Sequence, residues 1–524
     1  MSLAKGRTPP GPSTRFVWRV RLLTAGVALV ALLVVGRLYV LQIMHGEEYL
    51  RRSDAQSVEL LNPLLNRGAI YFSDKSGALV TAATLHDLSA EVAATSTPAS
   101  TKQRYYPGGS LAAHTIGFVA YNNDNEQKGR YGLERYYEET LGRSGESLYT
   151  NFFVELFGGV KEVLEGTPQK GDLLTTIEPT VQSELERTLE VYAKEWNPAL
   201  LGGIVMVPTT GEIVALAILP TFDLNSFNTE ESVRVFNNPV AQSVFEMGSI
   251  IKPLTIAAGL DAGAITEATT YNDTGCITLD EKKICNYDLK ARGTIPMQEI
   301  LNQSLNLGVS FVAGKMGPET MRGYFLDRYK LGEETGIDLP GEVRGLVENI
   351  KSSRQVEFAT ASFGQGVATT PIETVRALAS LANGGYLVTP HLGRAVRGEN
   401  GLVRELGWGE PVRVLKPETT TAISRMLTTV VDTSLAGGKI KLDHWSVAAK
   451  TGTAQIADPQ GGGYYADRFL HSFFGYFPAQ DARFIIFLFA NEPTGAPFAS
   501  QTWAMPFKSL TQFLINYYNI PPDR

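Results

Sequence analysis

Phe245-Glu246-Met247-Gly248-Ser249-Ile250-Ile251-Lys252-Pro253 is the stretch on which the rest of the chain is organised. A glycine precedes a serine, a lysine follows three residues later, and the mostly apolar run 254–262 continues as a helix. Residues i and i+3 share a helix face, so the Ser249 hydroxyl and the Lys252 amine can meet. A hydroxyl beside an amine at a helix start is a candidate activated nucleophile. Pro253 lacks the N–H that a helix interior needs, so this turn is expected to be irregular. Lys252 is then expected to be held by contacts to the Ser249 and Ser304 hydroxyls. Alone, Ser-x-x-Lys recurs by chance in chains of this length.

Two further short motifs follow it. Ser304-Leu305-Asn306 lies in the helical run 300–306, whose polar residues can face a cleft. Lys450-Thr451-Gly452-Thr453 follows the strand-like run 445–449. Each has a bland reading: polar residues on a helix surface, or an exposed charge before a turn.

Composition narrows the function classes. The 524 residues are 44% hydrophobic and 19% charged, enough for two or three domains with a large core. A net charge of −7 gives no general basic surface, and there is no basic–aromatic repeat, so nucleic acid is not an expected partner. Six histidines without His-Glu-x-x-His predict no metal site. Gly437-Gly438-Lys439-Ile440 lacks the hydroxyl of a phosphate loop, so catalysis without any cofactor is expected. Cys276 and Cys285 flank a short hairpin with a charged turn. They read either as a disulfide, if the segment lies outside the cytoplasm, or as two small buried thiols.

Along the chain, residues 1–21 carry Lys5, Arg7, Arg15, Arg19 and Arg21, and no acidic residue precedes Glu47. This reads as a cytoplasmic tail. Residues 22–44, as a helix, would span roughly 35 Å, enough for a bilayer. Arg37 would snorkel or face a partner helix. No small-x-small site follows the apolar run, so an uncleaved anchor is expected, with everything after about residue 45 outside the cytoplasm. Residues 45–170 read as a scaffold, with a strand opening at Arg67-Gly68-Ala69-Ile70-Tyr71, and the turn chemistry of 166–172 marks a boundary. Beyond it the patterning predicts a strand over 173–177, a helix over 180–196 begun by Glu178-Pro179, and a hairpin of 202–207 with 212–217. Helical text covers 294–315 and 371–384, β-rich text covers 445–455, 473–477 and 484–490, and an amphipathic helix over 503–518 closes the chain. The expected fold is therefore α+β or α/β, its sheet assembled from both chain ends around a helical subdomain.

Ser-x-x-Lys, Ser-x-Asn and Lys-Thr-Gly in that order form the motif set of the serine penicillin-interacting enzymes. The chain resembles a class B penicillin-binding protein, a bitopic D,D-transpeptidase of peptidoglycan synthesis. Arg67-Gly68-x-Ile70, Arg104-x-Tyr106-Pro107 and Gly132-Leu133-Glu134 resemble landmarks of that family's pedestal. Thr176-Ile177-x-Pro179, the stretch Gly336 to Glu342, Gly364-Gln365-Gly366 with Thr370-Pro371, and the stretch His471 to Pro478 resemble landmarks of its transpeptidase domain. The resemblance implies a tail (1–21), a single transmembrane helix (22–44), a β-rich, dimerisation-like pedestal (45–170) and a penicillin-binding transpeptidase domain (171–524). That domain would be an antiparallel sheet covered by helices, plus a helical subdomain.

It also implies roles. Ser249 is acylated by a D-Ala-D-Ala stem peptide, D-Ala leaves, and a neighbouring stem's amine takes the acyl group; β-lactams acylate the same serine. Neutral Lys252 takes the Ser249 proton, which requires its pKa to fall from about 10.4 to near neutrality, worth about 4 kcal/mol. Burial and a second cation, Lys450, both push that way. Ser304 relays a proton to the leaving amine, and Asn306 holds the substrate peptide. Lys450, Thr451 and Thr453 bind the terminal carboxylate on the strand containing Gly452, and the amides of Ser249 and Thr453 form the oxyanion hole. Implied partners are a polytopic glycosyltransferase and other divisome membrane proteins, with Arg37 and the anchor as contacts. The arrangement from Lys450 through Tyr464-Tyr465 to His471 looks closer to septal than to elongation enzymes, and elongation is the alternative.

Some residues depart from the family pattern. Ala449 stands where glycine is common, Glu373 where glutamine is, and Tyr71 to Gly77 is longer than the usual turn. A β-lactamase or β-lactam sensor is a rival reading. However, Glu299-Ile300-Leu301-Asn302 precedes Ser304, whereas the class A deacylation motif it echoes follows Ser-x-Asn. A bifunctional class A synthase needs a glycosyltransferase domain that 45–170 has no room for. A non-catalytic scaffold of the same fold is the rival from another class, and the intact motif residues weigh against it.

Overall fold

A computed structural model describes residues 18, 67–87, 102–121, 127–142, 170–398, 400–458 and 460–524. The expected anchor at 22–44, with Arg37, and the expected tail apart from Trp18 lie outside the described residues. Among those described, no helix is long and apolar enough to cross a membrane. From residue 67 onward the described chain forms one compact unit.

The main elements, in chain order, begin with β1 (Ile70–Ser73), β2 (Leu79–Asp87), β3 (Lys102–Tyr105) and β4 (Gly171–Thr175). Next come α1 (Pro179–Trp196), β5 (Leu200–Met206), β6 (Ile213–Leu219) and α2 (Lys252–Asp261). The middle holds β7 (Cys276–Leu279), β8 (Lys282–Cys285), α3 (Met297–Asn302), α4 (Asn306–Met316) and α5 (Pro371–Ala382). Then follow β9 (Gly393–Gly398), β10 (Val403–Glu405), α6 (Pro417–Thr429), β11 (Ala448–Asp458), β12 (Gly463–Phe477), β13 (Phe484–Asn491) and α7 (Ala504–Tyr518).

Three stretches far apart in sequence meet at one buried carboxylate. Arg67 Nε donates to Glu134 Oε2 at 2.8 Å, Arg104 Nε donates to Glu134 Oε1 at 2.7 Å, and the Tyr106 hydroxyl reaches the same oxygen at 3.4 Å. Burial pushes the Glu134 carboxyl up, but the two guanidiniums outweigh it and hold the group below its ordinary value. Arg67 also donates to Glu138, and Arg104 to the Gly68 carbonyl. This cluster ties the start of β1 to β3 and to the 132–141 helices. The sheet above it runs β10-β9-β4-β1-β2-β3, with β1 parallel to β4 and its other pairs antiparallel, so strands from both sides of residue 170 share it. The longer turn after β1 is ordered by Asp74, which accepts from the N–H groups of Ser76 and Ala78. Lys75 on that turn lies over the Tyr517 ring of α7.

The second sheet carries the site. Its order is β11-β12-β13-β5-β6, all antiparallel, so the late strands pair with the early hairpin as the patterning predicts. The row Lys450, Phe474, Phe487, Ile204, Leu216 runs straight across it. Phe473, Phe474, Tyr476 and Phe477 are consecutive apart from Gly475 and fully buried, because both faces of the sheet are covered. On one face Phe507 of α7 stacks on Phe473, and Trp503 stacks on Tyr192 of α1. On the other, Ser424 of α6 and the Tyr476 hydroxyl lie 2.8 Å apart. The methyl of Ala449 is accommodated because its partner across the ladder is Gly475, where an added Cβ would come within 2.9 Å of it.

Two readings of the sequence shift. β12 begins ten residues before Phe473, because its glycine-rich, polar arm is held by pairing with β11 rather than by an apolar pattern. The helical text at 294–315 resolves into a short strand, Gly293–Pro296, then α3 and α4 with a break between them. Cys276 and Cys285 pair across the β7–β8 hairpin and are joined as a disulfide.

Candidate active site

The turn that carries Ser249, the nucleophile expected from the sequence, precedes α2. Gly248 takes φ +63°, a 3-10 turn spans Gly248–Ile251, and α2 starts at Lys252 with Pro253 in its first turn, where no N–H is required. The irregularity expected from Pro253 is thus a change of helix type at Lys252. Two neighbours press on the turn. Gly248 N–H donates to the Gly364 carbonyl at 3.1 Å, and a Cβ on Gly364 would stand 2.4 Å from the Gly248 oxygen. From the sheet, the buried Ser472 hydroxyl donates to the Met247 carbonyl at 2.9 Å. Gly452 leaves the space for this approach: a Cβ there would lie 2.3 Å from Ser472 Oγ and 2.6 Å from the Met247 oxygen.

Ser304 sits in the break between α3 and α4, in the left-handed region at φ +56°. Non-glycine residues adopt that conformation at a cost of about 1–2 kcal/mol. It frees the Ser304 carbonyl from the helix and turns both Ser304 oxygens toward one amine. Lys252 Nζ lies 2.5 Å from the carbonyl oxygen and 3.2 Å from Oγ. Lys450 reaches the same Oγ at 3.0 Å and the Thr451 carbonyl at 2.9 Å. Both lysines are buried, and Ser304 Oγ bridges them. Ser249 is half-buried beside this cluster, but its hydroxyl makes no hydrogen bond to Lys252; the sequence expectation of a Ser249 contact is met only by proximity on the turn.

Burial first, and then the neighbouring Lys450, push the Lys252 amine well below its ordinary value, while burial brings Lys450 down to about 7. A neutral Lys252 can accept a proton, and a charged Lys450 can donate to Ser304 Oγ. The group is therefore able to move a proton between a nucleophile and a leaving group.

The remaining residues from the three motifs gather around it. Asn306 is the first residue of α4 and donates from Nδ2 to the Cys285 carbonyl at 3.0 Å. On β11 the side chains alternate. Lys450 and Gly452 share the face toward the nucleophile turn, whereas the Thr453 hydroxyl accepts from Ala499 N–H on the other side at 3.0 Å. Thr451 and Thr453 are both half-buried, and β11 is an edge strand of its sheet. Glu299 is engaged within α3 and its connection, accepting from Asn302 and Gln303.

Sequence reading missed the left-handed Ser304 and the buttress formed by Ser472. A serine at positive φ has no local signature, and Ser472 was legible only as part of a family landmark. It also missed Asn286, which contacts the N-terminus of α4.

Residues 202–508 match the Penicillin binding protein transpeptidase domain. The chain belongs to that family. Stage V sporulation protein D of Bacillus subtilis is 30% identical over 418 residues, covering 77% of this chain and 62% of that protein. The probable peptidoglycan D,D-transpeptidase PenA of Neisseria gonorrhoeae is 28% identical over 430 residues, 80% of this chain and 70% of that one. The fold is shared with Penicillin binding protein 3 of Mycobacterium tuberculosis, at TM-score 0.75 and 24% identity over 87% of this chain and 97% of that one. Within the family the chain is similar to class B penicillin-binding proteins, and it spans 62% of the length of the sporulation protein.

Proposed function

We propose that this chain is a peptidoglycan D,D-transpeptidase working through a serine acyl-enzyme. The observation that carries the reading is the Ser304 hydroxyl within hydrogen-bond reach of two buried lysines, one of them next to the candidate nucleophile on its own turn. Ser249 Oγ attacks the penultimate D-Ala carbonyl and gives its proton to neutral Lys252. The backbone amides of Ser249 and Thr453 hold the oxyanion. The proton passes by way of Ser304 to the nitrogen of the leaving D-Ala, the peptide C–N bond breaks, and an ester remains on Ser249. An acceptor amine then attacks the ester, its proton returns to the Ser249 oxygen through the same base, and the cross-link is made. Lys450, Thr451 and Thr453 bind the terminal carboxylate, Asn306 binds the peptide, and the edge of β11 offers backbone groups to an extended substrate.

A β-lactam would acylate Ser249 and stay. Complexes of the mycobacterial fold neighbour with aztreonam and ampicillin are in keeping with this. The test is a fluorescent penicillin. The native chain becomes covalently labelled and Ser249→Ala does not; a native chain that stays unlabelled, or a variant that labels fully, defeats the reading.

The proposal extends to place and partners. A helix over 22–44 anchors the chain, a pedestal over 45–170 precedes the transpeptidase domain over 171–524, and the catalytic part lies outside the cytoplasm. The Cys276–Cys285 disulfide supports an oxidising compartment. The glycan is polymerised by a separate polytopic glycosyltransferase, met through the anchor. The likeness of the 450–476 sequence to septal enzymes supports a role in division. Depletion would then give filaments, and rounded cells would assign the chain to elongation.

A further inference from the structure

The turn that presents Ser304 is held from both sides by residues outside the three motifs. Helix α4 starts at Asn306, and its N-cap, Leu305, offers no side-chain acceptor. The exposed N–H groups of a helix start need one. Asn286, just after β8, supplies it from a distance: its Oδ1 accepts from Leu307 N–H at 3.2 Å. The amide of Asn286 is fixed in turn, since Nδ2 donates to both oxygens of buried Asp273 at 2.9 and 3.1 Å and its own N–H donates to the Gly275 carbonyl. The preceding residue, Cys285, provides the carbonyl that receives the Asn306 side chain.

On the other side of the turn, Arg292 Nε donates to Gln303 Oε1 at 2.5 Å. The same guanidinium reaches Asp273 Oδ2 at 3.5 Å and Asp288 Oδ2 at 2.8 Å. Residues 303 and 307 are thus both tied to Asp273, one through Arg292 and one through Asn286, with the left-handed Ser304 between them.

We propose that Asn286 and Arg292, anchored on Asp273, are positioning residues for acylation. They hold Ser304 at its unfavourable φ and orient the Asn306 amide, so that Ser304 Oγ stays between the two lysines. The inference rests on the proposed acyl-enzyme reading. Neither residue touches the reacting atoms. Their effect is one of geometry, and misplacing a reacting group by about 1 Å can cost about a hundredfold in rate.

The test measures acylation by a fluorescent penicillin in rapid-mixing experiments on the full chain, well below the melting temperature. Rates are normalised to folded protein and followed across pH. Asn286→Ala and Arg292→Lys are expected to lower the acylation rate constant at least fivefold, with a smaller effect on the preceding non-covalent affinity. They are also expected to displace the acid limb of the pH profile, because Lys252 loses its aligned partner. Arg292→Lys keeps the charge beside Asp273 and Asp288 but not the reach to Gln303, so it carries the test if Asn286→Ala fails to fold. A fall of less than fivefold, or one that leaves the acid limb in place, overturns the inference. Failure of the native chain to acylate would instead overturn the reading beneath it.

Discussion

Replacing Ser304 with alanine removes one oxygen and leaves nearly everything else in place. Lys252 keeps the Ser304 backbone carbonyl and Lys450 keeps the Thr451 carbonyl. The new methyl tolerates φ +56° about as poorly as the serine does. The stability loss should therefore stay within about 3 kcal/mol, the scale of two lost hydrogen bonds at about 0.5–1.5 kcal/mol each from amines that keep another partner. Catalysis loses an atom that, among the described residues, accepts from both amines, at 3.2 and 3.0 Å. A positioned proton-transfer group contributes about 10²–10⁴ in rate, and the lower end, a hundredfold, corresponds to about 2.7 kcal/mol of barrier. The assay is the second-order acylation rate with a fluorescent penicillin, alongside the denaturant midpoint of the same preparation. A rate within threefold of native protein would refute the relay. So would a fall that tracks unfolding.

Other consequences are more local. Acylation should follow a bell-shaped pH profile. The acid limb marks protonation of Lys252, whose pKa is lowered by burial and by Lys450; the alkaline limb begins near pH 7 as Lys450 loses its charge. Rates measured from pH 5 to 9 check both limbs. Gly452→Ala forces a Cβ to within 2.3 Å of Ser472 Oγ and 2.6 Å of the Met247 carbonyl, so the nucleophile turn must move. Acylation should drop tenfold or more, with about 1–3 kcal/mol lost on denaturant unfolding. Glu134→Ala takes the buried Arg104 guanidinium's carboxylate partner away and leaves Arg67 paired with Glu138 alone, and should cost about 3–5 kcal/mol in urea unfolding at neutral pH. Because Glu134 has a depressed folded pKa, its contribution is present above the ordinary carboxyl range and is lost as pH falls through the folded value. The difference between native and variant stability should therefore narrow in acid.

The candidate site residues were legible because the acyl transfer proposed for them demands particular side chains at fixed local spacings. Ser249 and Lys252 are one turn apart, and Lys450 and Gly452 share a strand face, whatever surrounds them. The buried strands 473–477 and 484–491 were legible for a similar reason: a sheet covered on both faces needs unbroken apolar runs. The polar arm of β12 was not, since its partner strand rather than its own side chains keeps it extended.

The sequence by itself determined the order of the three motifs, the late strands, the opening of α1 at Glu178-Pro179 and the irregular turn at Pro253. Each of these is read from the types and spacing of neighbouring residues. Only the tertiary structure decided that Ser304, not Ser249, is the hydrogen-bond partner of Lys252. It also decided that Arg67, Arg104 and Glu134 form one buried cluster, and that Asn286 caps a helix it does not belong to. These depend on where distant backbones converge. The conformation of Ser304 is the clearest case: a left-handed serine is disfavoured locally and persists only where neighbours on both sides hold it.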